Sequence, residues 1–256
     1  MGSPLSARVN REQEAFNAGL QRDGYMRLFG HTCHLFLRRR DQIIRDELKY
    51  AQGKDTLEFG SISWKVWIED NGIEPKNLYC INISQEEINQ GEEDARFSRV
   101  KPNFRLMDAH SLEFEDESFD VVYGCAILHH LDFIQALDEV CRVLKPGGRI
   151  LFVEPLGINP IGKLVRAMTP FARTVDEKPL LFKELAELEK RFDTRHYYEE
   201  LFSVPFGVIS GLLFDNPDNW LTRLAFNLDL SLNRVFPPLR YLFRHVLVVG
   251  TRKVVL

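Results

Sequence analysis

A chain of 256 residues with 45% hydrophobic and 27% charged residues is long enough to bury one full core and has an ordinary globular composition. A net charge of -4 and an isoelectric point near 6.0 exclude the strongly basic surface that nucleic-acid binding usually needs, so no nucleic-acid partner is expected. Cys33, Cys80, Cys125 and Cys141 show neither a CxxC pair nor a metal-ligand spacing, which points to a reducing cytoplasm and to no bound metal. Met1 to Arg11 lacks a signal-peptide core, and no run reaches the ~18 apolar residues of a spanning helix.

In chain order, residues 12–50 read as helices broken near Gly24 and Gly30. Leu35, Leu37, Ile43, Ile44 and Leu48 supply a buried stripe, and Arg38, Arg39 and Arg40 face water. A first strand, Thr56–Phe59, ends at Gly60-Ser61, and Ser63 caps a helix running to about Asn71. After a turn at Asn71-Gly72 and Pro75, Asn77–Ile83 is a second strand. Ser84 with Glu87 forms a capping box for a helix through Phe97. Asn103–Met107 is a third strand. Phe119–Cys125 is a fourth, with the continuous apolar run of a strand buried on both faces.

From Asp132 to Lys145 the residues Ile134, Leu137, Val140, Cys141 and Leu144 recur at helical spacing, and Pro146-Gly147-Gly148 stops that helix with a left-handed glycine. Arg149–Val153 is the fifth strand. Helices follow near residues 161–168 and 179–190. A strand at Thr194–Val204 and a last one at His245–Lys253 close the sheet as an antiparallel pair. This alternation predicts a Rossmann-like, seven-stranded, mostly parallel sheet in a single α/β domain. Helices cover both faces and the final strand is antiparallel. Residues 1–53 form a helical cover, 54–155 the core, and 156–256 a substrate-covering insert with the closing strands.

Asp108-Ala109, Ser118-Phe119-Asp120-Val121-Val122, Leu128-His129-His130-Leu131, Glu139 and Arg142-Val143-Leu144-Lys145-Pro146-Gly147-Gly148 form one ordered series. That series resembles the class I S-adenosylmethionine-dependent methyltransferases, especially the small-molecule branch. The resemblance implies S-adenosylmethionine as cofactor, bound beyond the carboxyl ends of the strands. It places Asp108 at the adenine amino group and the Ala109 N–H at a ring nitrogen. Gly124 to Ile127, Cys125 among them, then lie near the sulfonium. Glu58, Gly60 and Ser61 form the loop at the methionine moiety, and Asn82 and Ile83 stand at the ribose. The sequence departs from the family pattern in two places. Ile62 and Trp64 stand where glycines are usual, and Asn82 replaces the usual acidic residue. A β-branched residue is unfavourable at positive φ, so the loop must be reshaped or the cofactor held differently.

Methyl transfer from a sulfonium is an in-line displacement that needs positioning and, for a hydroxyl acceptor, a general base. His129 and His130 are the candidate bases, the alternative for each being a structural tie between loop and helix. Glu154 reaches the pocket mouth or else is an exposed loop carboxylate. Tyr25, Arg173, Glu177 and Tyr197 are candidate substrate contacts, with Asp176, His196 and Tyr198 nearby in sequence. Arg173 alternatively pairs internally with Asp176 or Glu177. The apolar stretch from Leu212 to Phe243 reads as core, as a lid over a greasy substrate, or as a membrane-contacting face flanked by Arg223, Arg234, Arg240 and Arg244. The expectation is therefore a cytoplasmic enzyme, free or membrane-associated, that methylates an O or N atom of a hydrophobic or lipid-like small molecule. The alternatives are a non-catalytic partner subunit and a fold repurposed for another reaction.

Overall fold

The computed structural model describes residues 4–17, 23–160, 162–163 and 176–253. Seven strands, β1 Asp55–Phe59, β2 Asn77–Asn82, β3 Asn103–Leu106, β4 Phe119–Cys125, β5 Leu144–Pro155, β6 Phe192–Glu199 and β7 His245–Arg252, make one sheet in the order β3-β2-β1-β4-β5-β7-β6. The strands from β3 to β5 pair in parallel, while β7 runs antiparallel to both β5 and β6. The order reverses between β1 and β4, which opens a crevice at their carboxyl ends. The expected Rossmann-like architecture is the one observed.

Helices α1 Pro4–Asn17, α2 Asp23–Leu48, α3 Gln85–Asp94, α4 Phe133–Val143, α5 Phe182–Arg191, α6 Ser203–Leu213 and α7 Trp220–Val235 surround the sheet. The strands carry apolar residues on both faces because both faces are covered. Val122, Ile150 and Phe152 pack with Leu137 and Val140 of α4 and Leu188 of α5. On the other face Val121, Tyr123 and Leu151 pack with Ile44 and Leu48 of α2 and with Trp64 and Ile68.

Several sequence expectations are corrected. Gly30 does not interrupt α2, which continues to Leu48. The buried face of α2 is Phe36, Arg40, Ile44 and Leu48, spaced by four, whereas Leu37 is 41% exposed. Arg40 does not face water. Its Nε lies 3.3 Å from the fully buried Glu199 of β6, a partner invisible in the local pattern. The segment after Ser63 winds as a π-helical turn over Lys65–Glu69. Helix α4 ends at Val143 and Leu144 already pairs with Phe119, so Gly147, at φ 73, bends the chain inside the strand segment instead of capping the helix. Ile134 is 44% exposed and Ala136 and Val143 take its place in the core.

The strand expected to reach Val204 stops at Glu199, where Glu200 adopts φ 68. The chain then enters α6, whose start is fixed by Asp229 of α7. That carboxylate accepts hydrogen bonds from the Leu201, Phe202 and Ser203 N–H groups and from the Ser203 hydroxyl. Helix α6 turns its small residues, Ser203, Gly207 and Ser210, inward. A Cβ on Gly207 would lie 2.4 Å from the Cα of Thr32 in α2, so only glycine permits this approach. Its larger residues Ile209, Leu212 and Leu213 are exposed, as are Trp220, Leu224, Leu228 and Val235 of α7. These residues of the apolar stretch are therefore not core. Most of the helix expected at 161–168 lies outside the described residues.

Candidate functional site

At the β1/β4 switch point lies a cavity of about 270 Å³. Its walls come from the carboxyl ends of the strands and the turns beyond them: Gly60 and Ile62 after β1, Asn82 and Ile83 at the end of β2, Asp108 and Ala109 after β3, and Cys125 and His130 after β4. Helix α1 closes the cavity with Arg8, Val9 and Glu12.

The loop after β1 solves its missing glycines by bending early. Positive φ is confined to Gly60 (109) and Ser61 (53), so Ile62 is spared it, and Trp64 sinks into the core against Phe104. Two side chains fix the bend. Glu58, fully buried, accepts from the Ser63 N–H at 2.6 Å and from the Tyr123 hydroxyl at 3.1 Å, and the Cys80 thiol lies 3.4 Å away. Burial pushes its carboxyl up to about 7. Asn82 donates to the Gly60 carbonyl at 2.9 Å and to Ser61 Oγ at 3.0 Å, and accepts from the Ser84 N–H at 3.0 Å. The Asn82 amide thus ties β2 to the loop while also lining the cavity. Ser84 caps α3 through the Glu87 N–H, but its own N–H is satisfied by Asn82, not by a reciprocal glutamate.

Asp108 sits at the far end of the cavity. Its Oδ1 accepts from the His110 N–H at 2.9 Å and meets His110 Nδ1 at 2.6 Å. His110 Nε2 accepts from the Asp132 N–H at 2.8 Å, which fixes the imidazole as the tautomer donating from Nδ1. Burial acts to raise the Asp108 carboxyl, but these bonds outweigh it and hold the group below its usual range. Asp108 is thus an oriented carboxylate with its second oxygen available to a donor.

Beyond β4, Gly124 is required by close packing. A Cβ there would lie 2.8 Å from Ile127 Cγ2 and 3.1 Å from the Phe59 carbonyl. Glu154 is not an exposed loop carboxylate. It is fully buried and accepts from the Ile127, Leu128 and His129 N–H groups at 3.0, 2.8 and 3.3 Å. The same carboxylate takes His129 Nδ1 at 2.7 Å. His129 is therefore the structural tie, and it does not line the cavity. His130 does, with its Nδ1 2.9 Å from Glu12 of α1. Among the described residues, His129, His130 and Glu177 bring one ligating atom each within 4.8 Å and could hold a metal ion, although both imidazoles already pair with carboxylates.

The expected site residues divide as follows. Gly60, Asn82, Ile83, Asp108, Ala109, Cys125 and His130 converge on the cavity, whereas Glu58 and Ser61 lie behind its wall. Burial raises the Cys125 thiol to about 11, which keeps it an uncharged wall. Glu177 lies 3.9 Å from His129 Nε2, outside the cavity lining. Tyr197 does not line the cavity. It belongs to the edge strand β6 and packs under Arg39 of α2, 5.8 Å from its ring, because alternation on β6 turns it toward that helix. His196 and Tyr198 point to the other face and hydrogen-bond each other at 3.2 Å. Asp176 pairs with Arg11 of α1. Arg173 and the Tyr25 side chain lie outside the described residues. The sequence reading missed Arg8, Glu12 and His110. The first two form a charged pair four residues apart on an N-terminal helix, a signal present in the sequence but without an address.

Residues 59–152 match the family described as a methyltransferase domain. Among curated proteins, the mitochondrial 2-methoxy-6-polyprenyl-1,4-benzoquinol methylase of Bos taurus is 32% identical over 120 residues, 45% of this chain and 36% of that protein. An O-methyltransferase of Penicillium expansum is 29% identical over 128 residues, 47% of this chain and 46% of that protein. The chain thus spans less than half the length of these relatives. Geranyl diphosphate C-methyltransferase of Streptomyces coelicolor shares the fold, with a TM-score of 0.59 at 15% identity over 86% of this chain and 80% of that one.

Proposed function

With the match of residues 59–152 to a methyltransferase domain as the premise, we propose that the protein binds S-adenosylmethionine in the β1/β4 cavity and methylates an O or N atom of a hydrophobic small molecule. The observation that supports this most is Asp108, held by His110 at the end of a cavity lined by Gly60, Asn82 and Cys125. The residues present fit the cofactor. Asp108 offers an oriented acceptor for the adenine amino group, and Gly60 and Gly124 keep the strand ends free of side chains. Asn82 would meet the ribose with the one acceptor site its Oδ1 has left, more weakly than a carboxylate would.

When bound, the cofactor supplies an electrophilic methyl group on sulfur for in-line displacement. The protein's own share is positioning, exclusion of water and one proton. His130, which lines the cavity with its Nδ1 2.9 Å from Glu12, is the base that takes the acceptor's proton. The Glu12 carboxylate stabilises the imidazolium that forms. His129, bonded to Glu154, fixes the turn that carries His130.

A hydrophobic acceptor accords with the exposed apolar residues of α6 and α7, and the methylase of Bos taurus is named for a polyprenyl benzoquinol. The same face brings the protein to membranes as a peripheral contact, since no helix among the described residues is long and apolar enough to cross one. Calorimetric titration with S-adenosylhomocysteine tests the cofactor reading, and absence of binding sinks it. Methyl transfer to polyprenylated phenols, with His130→Gln reducing kcat about 100-fold or more, tests the acceptor and the base. Sedimentation with anionic vesicles, weakened in Leu213→Glu/Leu224→Glu, tests the membrane contact.

A further inference from the structure

The cofactor reading leaves open what holds the methionine end, because the loop after β1 has few groups left to offer. The Gly60 N–H is bonded to the Ile81 carbonyl, and the Ser63 N–H to Glu58. The Ile62 N–H also serves Glu58. An amino-acid zwitterion in this cavity therefore has to find its partners elsewhere.

Helix α1 carries two charged side chains into the cavity, Arg8 and Glu12, one turn apart on the same face. Arg8 is only 9% exposed. One terminal nitrogen donates to the Asp176 carbonyl at 3.1 Å, while its buried Nε has no hydrogen-bond partner. A buried guanidinium nitrogen without an acceptor is unfavourable, and a carboxylate is the ligand whose geometry matches it. Glu12 brings a negative charge four residues on, next to His130 and hence beside the β4 turn. The helix is docked for this task by Gln13, which donates to the Ile83 carbonyl at 2.7 Å, and by Arg11, bidentate on Asp176 at 2.7 and 2.9 Å.

Resting on the cofactor reading, we infer that Arg8 binds the carboxylate and Glu12 the ammonium of the cofactor's methionine moiety. Helix α1 then substitutes for the missing glycines of the β1 loop.

The test compares S-adenosylhomocysteine with 5′-methylthioadenosine, which keeps adenine, ribose and sulfur but lacks the amino acid. Binding of both is measured calorimetrically to the full chain and to Arg8→Ala, Arg8→Lys and Glu12→Gln, with thermal melts as a check on folding. The expected result is a loss of about 10- to 100-fold in S-adenosylhomocysteine affinity for Arg8→Ala, partly restored in Arg8→Lys. Glu12→Gln shows a loss in the same direction, and methylthioadenosine changes less than about threefold. Equal losses for both ligands would mean that α1 only shapes the cavity and would overturn the assignment. An unchanged affinity for S-adenosylhomocysteine would overturn it too and hand Arg8 to the methyl acceptor. If the unaltered protein binds neither ligand, the cofactor reading itself fails and this inference goes with it.

Discussion

Replacing Glu58 by glutamine removes a charge from beneath the β1 loop and leaves the shape of the side chain. Glu58 is fully buried, and its carboxyl is raised from 4.5 to about 7 because burial outweighs the hydrogen bonds it accepts. A folded-state value above the unfolded one means that the native protein binds the extra proton. Stability is then fully present below pH 4.5 and declines as pH rises through about 7. At 1.36 kcal/mol per pH unit, the interval from 4.5 to about 7 amounts to about 3 kcal/mol lost across that window. Glutamine cannot ionise, and its NH2 can donate to the Tyr123 hydroxyl or the Cys80 sulfur. Urea unfolding at pH 5 and pH 8.5 is the assay. Near pH 5 the two proteins should agree within about 1 kcal/mol, and at pH 8.5 Glu58→Gln should be the more stable by about 3 kcal/mol. Glu199, which burial also raises to about 7, contributes the same slope to both proteins and cancels in the difference. Parallel pH curves for the two proteins would refute the reasoning.

Three further outcomes follow from the packing around the site. His110→Ala frees the Asp108 carboxylate and should weaken S-adenosylhomocysteine binding about tenfold, while erasing the preference for it over S-inosylhomocysteine, which lacks the amino group. Gly124→Ala forces a methyl to within 2.8 Å of Ile127 Cγ2 and 3.1 Å of the Phe59 carbonyl, so chemical denaturation should show a loss of about 1–3 kcal/mol. At pH 8.5, where Glu199 is ionised, Arg40→Met strands that buried carboxylate and should cost about 3–5 kcal/mol, with most of that regained in Arg40→Met/Glu199→Gln. A double variant no more stable than the single one would show that the pair does not act as a unit.

How far the site was legible depended on where its parts lie along the chain. Cys125 ends β4 and Asp108, Ala109 and His130 follow within five residues of β3 or β4, so placing those strands placed them as well. The two histidines were legible as a pair but not individually. Only the turn held by Glu154 decides that His129 faces inward to that carboxylate and His130 toward the cavity. The place of Tyr197, away from the cavity lining, was hidden for a related reason. Its strand was foreseen, but the strand's position at the sheet edge, two places beyond β5, follows from pairing with β7.

The sequence by itself determined the alternation of strand and helix and the mostly parallel sheet which that alternation calls for. These rest on local signals: apolar runs such as Val121–Cys125, the cap at Ser84, and the turn chemistry between elements. Tertiary structure alone decided what depends on residues distant in the chain. Arg40 is buried because Glu199 meets it, and α6 starts where Asp229 of α7 receives its N–H groups. Helix α1 belongs to the site because it docks on Ile83 and Asp176, far from it in the chain. Charge, burial and docking are properties of pairs. No periodicity within one segment can name the partner on another.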